Sequence, residues 1–133
     1  MVIAHFGCGA FQEWDGFERV AGRIWNPDMR PHDPYGTFTV RITDGAHPVT
    51  RGMPDFDATD ELYTCLDGER EIRVLCTATS VVDHKEYPMA FTVPAFPRVF
   101  HSLLGHGAES LQSEGMRALY RRATAWAAGL EAE

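Results

Sequence analysis

No run in this 133-residue chain approaches the roughly 20 consecutive apolar residues needed to cross a bilayer. Residues 1–6 carry neither the basic start nor the long apolar stretch of a secretory signal. A cytoplasmic location with no membrane partner is therefore expected. Cysteine is sparse: Cys8, Cys65 and Cys76 are odd in number, widely spaced and form no CxxC pair, which argues against a disulfide framework or a zinc ribbon. Clustered basic charge is also missing. The longest basic run is Arg121-Arg122 and the net charge is −7, so neutralising a nucleic-acid backbone is excluded as a main task. There is no glycine-rich phosphate loop, so no nucleotide cofactor is expected.

What is present describes one folded domain over residues 1–133. The composition is 44% hydrophobic and 23% charged, and a chain of this length can bury about two thirds of its unfolded surface. Val2-Ile3-Ala4 reads as a buried strand ending in His5, Phe6 and a Gly7-Cys8-Gly9 turn. Residues 11–22 carry Phe11, Trp14, Phe17 and Ala21 at helical spacing, with Gly22 as C-cap. Three prolines make residues 26–36 a loop. Residues 37–43 alternate as a half-buried strand, and residues 48–53 read as a short helical turn. Residues 59–66 and 72–77 read as strands joined at Asp67-Gly68, and residues 89–93 and 99–103 as a further pair. Met116, Leu119, Tyr120, Ala123, Trp126 and Ala127 then mark an amphipathic helix closed by Gly129. Strands with helices at both ends imply an α/β sheet, partly antiparallel.

Several short segments occur in a telling order. They are His47-Pro48-Val49-Thr50-Arg51-Gly52, Asp60-Glu61-Leu62-Tyr63, Arg98-Val99-Phe100 leading to Leu104-Gly105-His106, and the closing Ala125-Trp126-Ala127-Ala128-Gly129. Together with the opening strand that ends in His5, they resemble the ThuA-like (trehalose-utilisation) family nearly end to end. The resemblance implies a glutamine amidotransferase-like (flavodoxin-like) mixed sheet with flanking helices, here truncated at the N-terminal side relative to family members. It also implies a role in sugar metabolism, on trehalose, other disaccharides or their 3-keto derivatives. The sequence departs from the family at Pro94-Ala95-Phe96-Pro97, in place of a glycine-rich turn, and at Gly107, where an acidic residue often follows.

Within that frame His5 and His106 are the expected catalytic histidines, each at the end of a strand-like segment. Imidazole moves protons near neutral pH or ligates metals. Glu61 is the expected carboxylate acid or base. Trp14 would stack on a sugar face, His32 would be held by its stiff proline-flanked loop, and Tyr63 would donate a hydrogen bond. No nucleotide is needed for isomerising or epimerising a keto-sugar, and if a divalent metal is bound its ligands are His5, His32, Glu61 and His106. The alternatives are a non-catalytic sugar-binding or partner subunit and a metal-dependent carbohydrate enzyme. Cys8 tests the amidotransferase analogy, with His106 and Glu109 as its would-be partners; because the strand ends at His5, a buried or loop thiol is expected instead. His47 is assigned to capping the turn through Arg51, His84 to an exposed loop, and His101 to the core side or sheet edge. The apolar opening strand implies a homo-oligomer, most simply a dimer, and the expected small-molecule partner is a carbohydrate.

Overall fold

The computed structural model describes residues 1–64 and 66–132, so the expectation for Cys65 lies outside the described residues. One six-stranded mixed sheet organises them, in the order β1-β6-β5-β4-β2-β3. The strands are β1 (Val2–Ala4), β2 (Gly36–Ile42), β3 (Phe56–Asp60), β4 (Arg73–Thr79), β5 (Glu86–Thr92) and β6 (Phe100–Ser102). β1 runs parallel to β6, with Ile3 opposite His101, and the remaining pairings are antiparallel. Two helices accompany the sheet, α1 (Phe17–Ala21) and α2 (Glu114–Ala127).

The residue patterns explain the layers. β2 alternates as expected, with Phe38, Val40 and Ile42 inward and Thr37, Thr39 and Arg41 exposed. The centre of the sheet is apolar on both faces: Leu75, Cys76, Met89, Ala90, Phe91 and Phe100 are fully buried. Each of the two phenylalanines contributes about 2–3 kcal/mol through area removed from water. α2 lays Met116, Leu119 and Ala123 on the core. It begins so close to β3 that a Cβ on Gly115 would stand 2.2 Å from Phe56. His101 is buried beneath α1, where its Nδ1–H donates to the Ala21 carbonyl at 2.9 Å and its ring packs on Phe91. Burial holds its pKa down at about 4.

The structure departs from the sequence expectations in two places. The helix expected over residues 11–22 forms only at Phe17–Ala21. Phe11 sits at φ 52°, and the Trp14 and Phe17 amides each reach back three residues, so the aromatic spacing arises from successive tight turns. Gly22 does cap α1, at φ 78°. The strand expected over residues 59–66 stops at Asp60, and Asp67-Gly68 does not close a hairpin: Asp67 exchanges both backbone bonds with Ile24. Residues 48–53, by contrast, do make the expected helical turn, with the Thr50 and Arg51 amides both reaching the His47 carbonyl. The His47 Nδ1 also accepts the Val49 amide, the capping role expected of it. Among the described residues no helix is long and apolar enough to cross a membrane.

Candidate active site

Four titratable side chains meet where β1, β3 and β6 end. β1 delivers His5, which enters a 3-10 turn (His5–Gly9) at φ 46°. A left-handed non-glycine residue costs about 1–3 kcal/mol and persists where surrounding contacts hold it. Here the holding contact is the bond from His5 Nδ1–H to the Leu103 carbonyl, 3.2 Å. A carbonyl only accepts, so this bond places the proton on Nδ1 and leaves Nε2 with a lone pair in the neutral ring. β6 continues through Leu103 and Leu104 to Gly105, at φ 121°, where a Cβ would press on Tyr120 Oη at 3.3 Å. That turn presents His106.

β3 supplies the centre. Asp60 is fully buried, and its carboxylate accepts three backbone amides: Glu61 at 2.8 Å, Gly105 at 2.7 Å and His106 at 3.1 Å. It therefore ends β3 and fastens the His106 turn beside it. Glu61 follows and points to the histidines. Its Oε2 lies 3.1 Å from His106 Nδ1 and 3.6 Å from His5 Nε2, and its Oε1 lies 3.6 Å from His32 Nε2. The imidazoles of His5 and His106 approach to 3.3 Å between Nε2 and Nδ1.

His32 arrives from the proline-rich loop through a local ladder. It bridges to Tyr63, with Asp33 N–H on the Leu62 carbonyl and Thr64 N–H on the Pro31 carbonyl. Its Nδ1–H donates to the Asp33 carbonyl at 2.7 Å, which again leaves a lone pair on Nε2, the atom facing Glu61. Asp33 is buried and accepts Ser80 Oγ–H and the Val81 amide, fixing the loop.

His5, His32, Glu61 and His106, expected from the sequence, thus converge, separated by up to 101 positions. Glu61 is only 14% exposed, whereas His106 is 48% exposed at the mouth. The donor atoms of His5, Glu61 and His106 all lie within 4.8 Å of one another, the one such group among the described residues. The other assignments fare differently. Tyr63 is 4% exposed and packs its ring against both His5 and His32, and burial raises its pKa, with neighbouring anions adding to the effect. It acts as a wall between the imidazoles. Trp14 is 55% exposed and packs on Phe11 and Phe17, with no ring contact to the cluster among the described residues. The site is open rather than enclosed; an apolar recess of about 370 Å³ shares Tyr63 and Leu103 with it but is lined by none of the four.

Cys8 is wholly buried within the 3-10 turn, and desolvation pushes its thiol up to about 11, so it is no thiolate nucleophile at neutral pH. Glu109 accepts the Tyr35 hydroxyl at 3.2 Å rather than pairing with His106. Sequence reasoning assigned no role to Asp60 or to Asp33. The available signal was the alternation Phe56, Ala58, Asp60, which puts the carboxylate on the inward face of β3.

Comparison with known proteins places the chain in a family. A family model described as "Trehalose utilisation" (ThuA) matches residues 1–127. A ThuA-like protein from Parabacteroides merdae superposes with a TM-score of 0.85 at 27% identity, covering 99% of this chain and 61% of that one. A ThuA-like protein from Bacteroides uniformis gives 0.79 at 19% identity, covering 98% and 58%, and shares the fold. The chain thus spans about three fifths of the length of either structure. No functionally curated protein matches.

Proposed function

Because the chain belongs to the ThuA family, which suggests a sugar-related role, we propose that the Glu61 cluster performs acid/base chemistry on a keto-sugar or an oxidised disaccharide. The observation carrying this reading is one carboxylate flanked by three imidazole nitrogens at 3.1–3.6 Å. Hydrogen bonds to backbone carbonyls orient two of those rings.

The chemistry suited to such a set is proton transfer at a carbon beside a carbonyl. A base of the cluster removes the proton from that carbon and the electron pair moves to the carbonyl oxygen, giving an enediolate. A neighbouring imidazolium protonates that oxygen or the opposite face of the carbon. Return of the proton to the neighbouring carbon isomerises the sugar; return from the other face epimerises it. No electrons are gained or lost overall, so no redox cofactor is required. Proton transfer by a positioned side chain contributes roughly 10²–10⁴-fold, and the partly exposed His106 leaves room for a polar ring to approach. Exposed Trp14 and Phe11 offer aromatic faces that would stack on a sugar, and the reaction is not routed through them.

The test is to incubate the protein with 3-keto-disaccharides and follow the ring carbons by NMR. An isomer or epimer forming at a rate that falls on the order of 100-fold in His5→Ala supports the reading. Saturable binding of the same sugars with no rearrangement would sink it in favour of a sugar-binding subunit.

A further inference from the structure

We propose that His5, Glu61 and His106 form a binding site for one divalent transition-metal ion of the zinc type. This goes beyond the acid/base reading and does not depend on it, because it is a property of the resting protein.

The distances match one face of a metal coordination shell. His5 Nε2, His106 Nδ1 and Glu61 Oε2 form a triangle with sides of 3.3, 3.1 and 3.6 Å. Ligands about 2.0–2.2 Å from a tetrahedral zinc lie about 3.3–3.6 Å from one another. One face of such a tetrahedron therefore fits with shifts of a few tenths of an ångström.

The proton positions match it too. A metal-bound imidazole donates its other N–H to a carbonyl or carboxylate, which fixes the ring and leaves the coordinating nitrogen bare. His5 meets that description through Leu103, and His32 meets it through Asp33. The bare nitrogen of His5 then faces a carboxylate oxygen and another imidazole nitrogen. Lone pairs and a carboxylate so arranged repel unless a proton or a cation stands between them. Asp60 holds the Glu61 and His106 backbones in this arrangement through three amide bonds, and His5 keeps a left-handed backbone within it. The cluster is therefore a fixed one.

Donor chemistry selects the ion. Two imidazoles and one carboxylate are a catalytic zinc set that leaves a coordination position open, whereas all-oxygen sites suit magnesium and calcium. The 48% exposed His106 gives an entry path. Sugar carbonyl and hydroxyl oxygens are ligands for the open position. With the ion bound, Glu61, His5 and His106 become ligands, and His32, facing the other Glu61 oxygen, is left to move the proton.

The experiment titrates chelator-treated, dialysed protein with Zn²⁺ by calorimetry, with Mg²⁺ as competitor and elemental analysis for stoichiometry. One Zn²⁺ per chain at micromolar affinity or tighter, undisturbed by Mg²⁺, is expected. Glu61→Gln and His106→Ala should each weaken binding about tenfold or more while keeping the circular dichroism of the parent; His84→Ala, on an exposed loop, should not. Co²⁺ should give visible d–d bands without a thiolate charge-transfer band. Absence of stoichiometric zinc, binding that survives both site variants, or a thiolate band would each overturn the proposal. Zinc bound in this way without sugar turnover supports the metal site and counts against the acid/base reading; turnover indifferent to chelation, with no zinc bound, does the reverse.

Discussion

Replacing Asp60 by alanine should loosen the candidate site more than any exposed change near it. The buried carboxylate accepts the amides of Glu61, Gly105 and His106 at 2.7–3.1 Å. A hydrogen bond to a charged group is worth about 1.5–3 kcal/mol, and a buried donor left without a partner costs about 1–3 kcal/mol. Water can reach the His106 and Glu61 amides, since both residues are partly exposed, so the low end applies there. A loss of about 3 kcal/mol is expected for Asp60→Ala, against a total of about 5–15 kcal/mol for a folded domain. At about 3–4 °C per kcal/mol for a domain of this size, Tm should fall by about 10 °C. Asp60→Asn keeps one carbonyl acceptor and turns an NH₂ toward amides that need an acceptor, so it should recover little. Urea unfolding measures the stability, and sugar turnover or metal affinity measured well below Tm reads the displacement of His106. If Asp60→Ala unfolds within 1 kcal/mol of the parent and retains site function, the carboxylate does not hold the turn and the account of how the cluster is assembled fails.

Two further outcomes follow from buried titratable groups. Cys8, with its thiol pushed to about 11 by burial, should resist alkylation in the native state, and Cys8→Ser should retain most activity; loss of turnover in Cys8→Ser alone would restore the thiol as nucleophile. His101 is neutral when folded because burial lowers its pKa to about 4, against about 6.5 when unfolded. The unfolded chain then binds the extra proton between these values, so stability is fully present above pH 6.5 and falls as pH drops toward about 4, by about 3 kcal/mol in all. His101→Gln should flatten that part of the urea-midpoint profile, and an unchanged slope would assign the acid sensitivity elsewhere.

Periodic burial is written locally in the sequence, whereas the ends of strands and the meeting of distant side chains are not. The alternation in residues 37–43 and the helical stripe from Met116 to Ala127 appear as β2 and α2 because each buries one face against the core. The aromatic spacing at Phe11, Trp14 and Phe17 misled because turns that reach back three residues space aromatic rings much as a helix does. The strand ending at Asp60 was not legible because its termination is long-range: the amides that capture the carboxylate lie 45 and 46 positions away. The histidines were legible from the family resemblance together with their places, His5 and His106 at the ends of strand-like segments and His32 within a stiff loop. Their common centre on Glu61 required β1 and β6 to pair in parallel, which no local pattern encodes.

The cluster of Glu61 and its histidines is proposed to move a proton at a sugar carbon. The most direct measurement is deuterium wash-in from D₂O at the carbon beside the carbonyl of a 3-keto-disaccharide, followed by NMR with the parent protein, Glu61→Gln and His84→Ala. Exchange is expected with the parent and His84→Ala, with a loss on the order of 100-fold in Glu61→Gln. Equal exchange by the parent and Glu61→Gln, or none above buffer with any of the three, would contradict that proposal.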